Sequence, residues 1–167
     1  MHILKYSAAV LGLIALCGGA RAEDGDIIDA ATVTPLAGWV EHATGVHMQA
    51  LPRTIASTEK LQSALAMEGV QKARAAAAYL PGRILISNAV WDPDSIRAQS
   101  YLVHELVHHA QLVSRRVYPC GAAKEREAYM LQNEWLKQHG EEPLVTQEWI
   151  DNISSCSNAN SGDGDGD

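Results

Sequence analysis

The fold turns on five residues, His104-Glu105-Leu106-Val107-His108. Two histidines four positions apart lie about 40° apart around a helix, so both imidazoles leave one face and can reach a single metal ion. The glutamate after the first histidine is placed to hold a water on that ion rather than to bind the ion itself. This order of residues, HExxH, is among the more specific short metal motifs.

The sequence around the motif supports a helix. Asp92 reads as its N-cap, Pro93 as its first residue, and Asp94 as an acid at the positive end of the dipole. Between Ile96 and Val113, the residues Leu102, Val103, Leu106, Val107, Ala110 and Val113 form one broad apolar arc. Tyr101, His104, His108 and Gln111 share the narrow remaining face. A helix buried over most of its girth with one polar strip suits a metal centre at the edge of a core.

Upstream, Arg83 to Ser87 is a strand pattern, and Pro81-Gly82 marks a turn that pairs it with a first arm at Ala75 to Leu80. Leu36 to Thr44 has helical spacing with Gly45 as its stop, after a loose acidic start over 23–34. Val46 to Ala56 alternates loosely and reads as a strand with an irregular edge at Pro52, and Ser57 or Thr58 caps a helix from Glu59 to Met67 that Gly69 ends. Downstream, Pro119 and Gly121 break the chain before a helix over Ala122 to His139. A shorter helix follows Thr146. The fold class expected is therefore α+β, a short antiparallel sheet packed on the motif helix, followed by a helix rich in glutamate.

Residues 1–22 read as a secretory signal peptide: Lys5, an apolar run from Tyr6 to Cys17, and Ala20-Arg21-Ala22 as the cleavage site. Its removal takes two positive charges and no acid from a formal net charge of −7, leaving −9. An acidic domain without basic runs is a poor partner for nucleic acid or anionic membrane, and no later stretch reaches bilayer length. The compartment expected is the periplasm or the extracellular space, where the remaining Cys120 and Cys156 would pair as a disulfide. A single domain then covers 23–156, and 157–167 (SNANSGDGDGD) is a disordered acidic tail.

A catalytic zinc takes three protein ligands and a water. With His104 and His108 supplying two, the third is expected from Glu125-Arg126-Glu127-Ala128-Tyr129. Glu127 shares a helix face with Ala123, Met130, Leu131 and Glu134, whereas Glu125 lies almost opposite and reads as a surface residue. Glu127 is thus the expected ligand, with Glu125 and Glu134 as the alternatives. Glu134 and Gln111 are placed to accept hydrogen bonds from the ligand histidines. Glu105 would act as general base, taking a proton from water and passing it to a leaving amine. A group to stabilise the oxyanion is not evident; Tyr101, Tyr118, Tyr129, His109 and His139 are the residue types available.

HELVH followed by EREAY resembles the gluzincin class of zinc metallopeptidases, with the likeness spanning roughly 80–140. The resemblance implies His104, His108 and Glu127 as zinc ligands and Glu105 as catalytic base. Asn88-Ala89-Val90-Trp91 is similar to the edge segment of thermolysin-like peptidases, which implies that Asn88 and Ala89 contact substrate backbone. Metzincins would place Gly at 111 and His at 114, where this chain has Gln111 and Ser114. Leu131 stands where the larger gluzincins often have an aspartate, and the short chain resembles the minigluzincins and small exported bacterial zincin-like proteins most. The function implied is zinc-dependent hydrolysis of peptide bonds in a peptide or protein substrate. The competing expectation is a non-catalytic zinc-binding envelope protein that engages a partner through its edge strand.

Overall fold

The computed structural model describes residues 25–67 and 75–159. The expected signal peptide, Gly69 and the tail from 160 onward lie outside the described residues. The chain runs β1 (Asp26–Ile27), α1 (Ala30–Thr44), β2 (Arg53–Ala56), α2 (Thr58–Met67), β3 (Ala77–Leu80), β4 (Arg83–Ile86), α3 (Ile96–Val113), α4 (Ala123–Gln138), α5 (Gln147–Ile153) and a terminal helical turn, α6 (Cys156–Ala159). The class is α+β, as expected.

The sheet departs from the antiparallel expectation. Its order is β1-β2-β4-β3, with β2 and β4 parallel and both outer pairs antiparallel. Parallel neighbours need a long crossover, and α2 provides it. Ile84 and Ile86 are wholly buried and Leu85 nearly so, the continuous apolar run of a strand covered on both faces. Ile84 packs with α1 and α3, while Leu85 packs with Ile55 and Leu61 under α2. The Pro81-Gly82 turn is present, with Gly82 at φ 83°, a left-handed value that glycine adopts without a Cβ clash.

Two helix starts differ from expectation. Helix α1 begins at Ala30, inside the stretch read as loose, because the Asp29 carboxylate accepts from Thr32 N at 2.8 Å; Gly45 ends it at φ 68°. Helix α3 is capped by Ser95, whose hydroxyl accepts from Ala98 N, and not by Asp92. Asp92 instead accepts from Asp94 N in a separate turn, with Gln99 Nε2 donating to the Pro93 carbonyl. The short helix expected after Thr146 is α5, which Thr146 caps, and α6 carries the fold three residues into the stretch read as a tail.

Helix α3 forms the middle of the molecule: Leu102, Val103, Leu106 and Val107 are fully buried among residues of α1, β4 and α4. Cys120 and Cys156 are bonded, with Cα atoms 5.8 Å apart. The bridge ties the chain end beyond α5 to the start of α4. Among the described residues no helix is long and apolar enough to cross a membrane. A disulfide fits an oxidising compartment.

Candidate metal centre

On α3, His104 and His108 leave the same face, and their Nε2 atoms stand 3.1 Å apart. The carboxylate facing them belongs to Glu125, in the first turn of α4. Its two oxygens lie 3.3 Å from His104 Nε2 and 3.3 Å from His108 Nε2. Among the described residues, His104, His108 and Glu125 are the group of donors able to hold a metal. Donors about 2.05 Å from a tetrahedral zinc stand about 3.3 Å apart, and each carboxylate oxygen keeps about that distance from one imidazole, so the three side chains gather near the spacing such an ion needs.

Glu127, the residue expected in that position, is a correction. Two residues along a helix is a rotation of about 200°, which turns Glu127 away from the histidines. Its carboxylate instead accepts from Arg116 at 2.5 Å, Gln111 Nε2 at 3.1 Å and the Tyr118 hydroxyl at 3.2 Å. The face of α4 that meets α3 carries Glu125, Ala128, Gln132 and Leu136, the last three buried. Met130, counted on the core side from sequence, is exposed.

Each histidine is oriented by a glutamine. Ser100 donates to the Arg97 carbonyl, so its oxygen must accept from Gln132 Nε2, which leaves Gln132 Oε1 to accept from His104 Nδ1 at 3.1 Å. Gln111 Nε2 donates to the Lys124 carbonyl and to Glu127, so Gln111 Oε1 accepts from His108 Nδ1 at 3.0 Å. With Nδ1–H committed, the Nε2 lone pairs are the ones a metal would use. Gln111 was expected in this role. Gln132 was not; its signal was a polar residue seven positions after Glu125, on the same helix face. Glu134, expected to share the task, is exposed and accepts from Gln138.

Glu105 is buried, and burial pushes its carboxyl above the usual range while His104 and His108 pull it back. It accepts a hydrogen bond from the backbone N–H of Tyr79. Burial would also raise Glu125, but hydrogen bonds to His104 and His108 hold it well below the usual carboxylate range. Burial works against a charge on His108, yet Glu125 and Glu105 raise it to about 9. Two carboxylates in a half-enclosed site therefore demand positive charge, which a proton supplies here and a divalent cation would supply better.

The edge strand beside this site is β3. Ser87 N donates to the Ala76 carbonyl, so by ladder alternation Ala76 and Ala78 face β4 while Ala77 and Tyr79 turn their backbone groups outward. Three adjoining cavities follow β3. One of about 290 Å³ lies by Ala75 to Ala77, Tyr101 and Gln132; one of about 280 Å³ lies over Glu105, both histidines and Glu125; one of about 490 Å³ lies by Tyr79, Pro81 and Lys124. Asn88 and Ala89, expected to line the cleft, do not: they follow β4, an inner strand. Asn88 bonds Thr58 beside a cavity near α2, and Ala89 N donates to Ser87 Oγ.

Of the aromatic and histidine groups available as polarising donors, Tyr129 reaches the site. Its ring centroid is 4.4 Å from that of His104, it is braced by Trp149 at 4.9 Å, and it lines both the central and the Gln132-side cavities. Burial, with Glu125 and Glu105 nearby, pushes its hydroxyl up to about 12, so it stays a proton donor at neutral pH. Tyr118 is held by Glu127. His109 is held between the Tyr79 hydroxyl and the Ala50 carbonyl. His139 bonds the Trp135 carbonyl.

No curated protein and no solved structure matches the chain. Residues 27–161 match the family model described as a domain of unknown function, DUF6647, and the chain belongs to that family.

Proposed function

We propose that this protein is an exported zinc-dependent peptidase of the gluzincin type, with Glu125 in place of Glu127 as the third ligand. The observation that carries the reading is a three-donor triangle with Glu105 at its side, set against the free edge of a strand. Three protein donors leave a coordination position open, as hydrolytic zinc sites do; a structural zinc normally takes four.

Bound there, zinc would supply Lewis acidity toward a substrate carbonyl and lower the pKa of a water. The chain's own residues account for the rest. An extended peptide pairs with the outward backbone groups of Ala77 and with the Tyr79 carbonyl, which positions one amide over the donors. Glu105 takes a proton from the attacking water on its carboxylate and delivers it to the amide nitrogen as the C–N bond breaks. Its elevated carboxyl lies closer to neutrality than an ordinary glutamate, which suits both halves of that transfer. The Tyr129 hydroxyl donates to the carbonyl oxygen as that oxygen gains charge. Gln132 and Gln111 hold the imidazoles in the ligating tautomer.

The test is Glu105→Gln in the full chain, with zinc content and peptide cleavage measured on the same preparation. Loss of about 100-fold or more in cleavage with zinc retained is expected. Undiminished cleavage would overturn the reading, as would a wild-type protein that retains no zinc.

A further inference from the structure

The cavity of about 490 Å³ beyond His108 differs from the rest of the cleft in charge. Arg115, Arg116 and Lys124 all line it, in a chain whose formal net charge is −7, and its acid is the donor Glu125. Arg116 is engaged by Glu127 and by the Thr44 carbonyl. Among the described residues, no acid pairs with Arg115 or Lys124. Arg115 has a positive φ of 53°, the only described residue other than glycine that does. It stands just past the Ser114 C-cap of α3, where glycine is usual. An arginine kept in that backbone conformation turns the chain sharply, so that 115–118 walls the cavity instead of extending α3. The rest of the lining includes a less polar part, with Leu112, Tyr79 and Pro81.

Resting on the metallopeptidase reading, we propose that this cavity is a substrate subsite for a carboxylate, reached by a peptide that lies along β3 and passes over the donors toward Pro81. The apolar wall takes the carbon stem, and Arg115 and Lys124 meet the negative end. The chemistry is shared by two sources: an aspartate or glutamate side chain, or the carboxylate at a peptide's own C-terminus. Cations gathered along an open cleft also raise the local concentration of anionic ligands above that of neutral ones, against the repulsion of the acidic surface elsewhere.

Binding rather than turnover tests it, using zinc-loaded full-length protein and four dipeptides that each carry a hydroxamate on an N-terminal acyl cap. One carries a glutamate with an amidated end, one alanine with a free C-terminus, one alanine with an amidated end, and one lysine with an amidated end. Either or both acidic probes should bind about fivefold to tenfold tighter than the neutral amide, with the lysine probe weakest. The tighter acidic probe identifies the source. The preference should fall toward unity in roughly 0.5 M salt. It should also fall in Lys124→Gln and further in Lys124→Gln combined with Arg115→Asn, since asparagine tolerates a left-handed backbone. Equal affinity for all four probes, at full zinc occupancy, would overturn the subsite and leave the metal site standing. If the zinc-loaded protein binds no hydroxamate, the peptidase reading and this proposal fall together.

Discussion

Exchanging Glu125 and Glu127 separately for glutamine discriminates between a carboxylate facing the histidines and one turned away from them. Apparent binding energies of four-ligand zinc sites run about 10–16 kcal/mol, or roughly 3 kcal/mol per ligand, which is about two decades in affinity. Glu125→Gln should therefore weaken zinc binding about 100-fold. Glu127→Gln reaches the metal only through Gln111 and His108, and should cost no more than about tenfold. The pH at which they are compared matters. In the wild type, Glu125 helps raise His108 to about 9, so at neutral pH zinc must displace a proton from that ring. Removing Glu125 relieves part of this competition and offsets part of the lost ligand. The ratio between wild type and Glu125→Gln should then be smaller near pH 7 and widen toward pH 9. Competition against a chromophoric chelator over that range gives the affinities, and circular dichroism checks the fold. If Glu127→Gln loses two decades while Glu125→Gln retains wild-type affinity, the assignment of the third ligand is wrong.

Four further outcomes follow from the same site and its supports. Because His108 is raised to about 9, zinc binding at pH 7 should release about one proton, read as a buffer-dependent enthalpy in titration calorimetry. The same shift means that the metal-free fold has its His108 contribution in full below pH 6.5 and loses it as pH rises through about 9, a loss that zinc should abolish. Gln132→Met keeps the volume but removes the acceptor for His104 Nδ1, and should weaken zinc about 10-fold to 100-fold in competition with a chelator. Replacing Cys120 and Cys156 together by serine opens a loop of 36-residue separation and should cost about 4 kcal/mol in chemical denaturation.

The motif helix was legible because its two requirements coincide. Histidines at i and i+4 form one strip, and the remaining girth is apolar, so one periodic pattern reports both site and core. The Pro81-Gly82 turn, the Gly45 stop and the helix start after Thr146 were legible for local reasons, each being a short-range signal with a mechanism, and the cysteine pair was legible because two cysteines remain in a chain expected to be exported. The third ligand was misread because a core-facing helix was assumed to present its more apolar face. Helix α4 packs against the polar strip of α3, so the inward face must itself carry Glu125 and Gln132, and Met130 is left to solvent. Hydrophobic periodicity pointed the wrong way on α4 because the donors lie between its inward face and the polar strip of α3. The parallel pairing of β2 with β4 was illegible for a different reason. Ile84-Leu85-Ile86 suits a hairpin arm and an inner strand alike, and only the crossover through α2 decides between them.

The burial of α3 divides the molecule into parts with unequal freedom to change. Leu102, Val103, Leu106 and Val107 have no exposed surface, so most substitutions along this helix would register as lost folding before they registered as altered chemistry. A mutational scan of α3 would thus read stability at nearly every position outside the polar strip. Diversity among relatives that acted on different ligands would have to accumulate elsewhere, on the outer edge of β3 and in the 114–124 connection, where side chains border the cleft without filling the core. The donors stay fixed because the core fixes them, while the cleft walls remain open to selection.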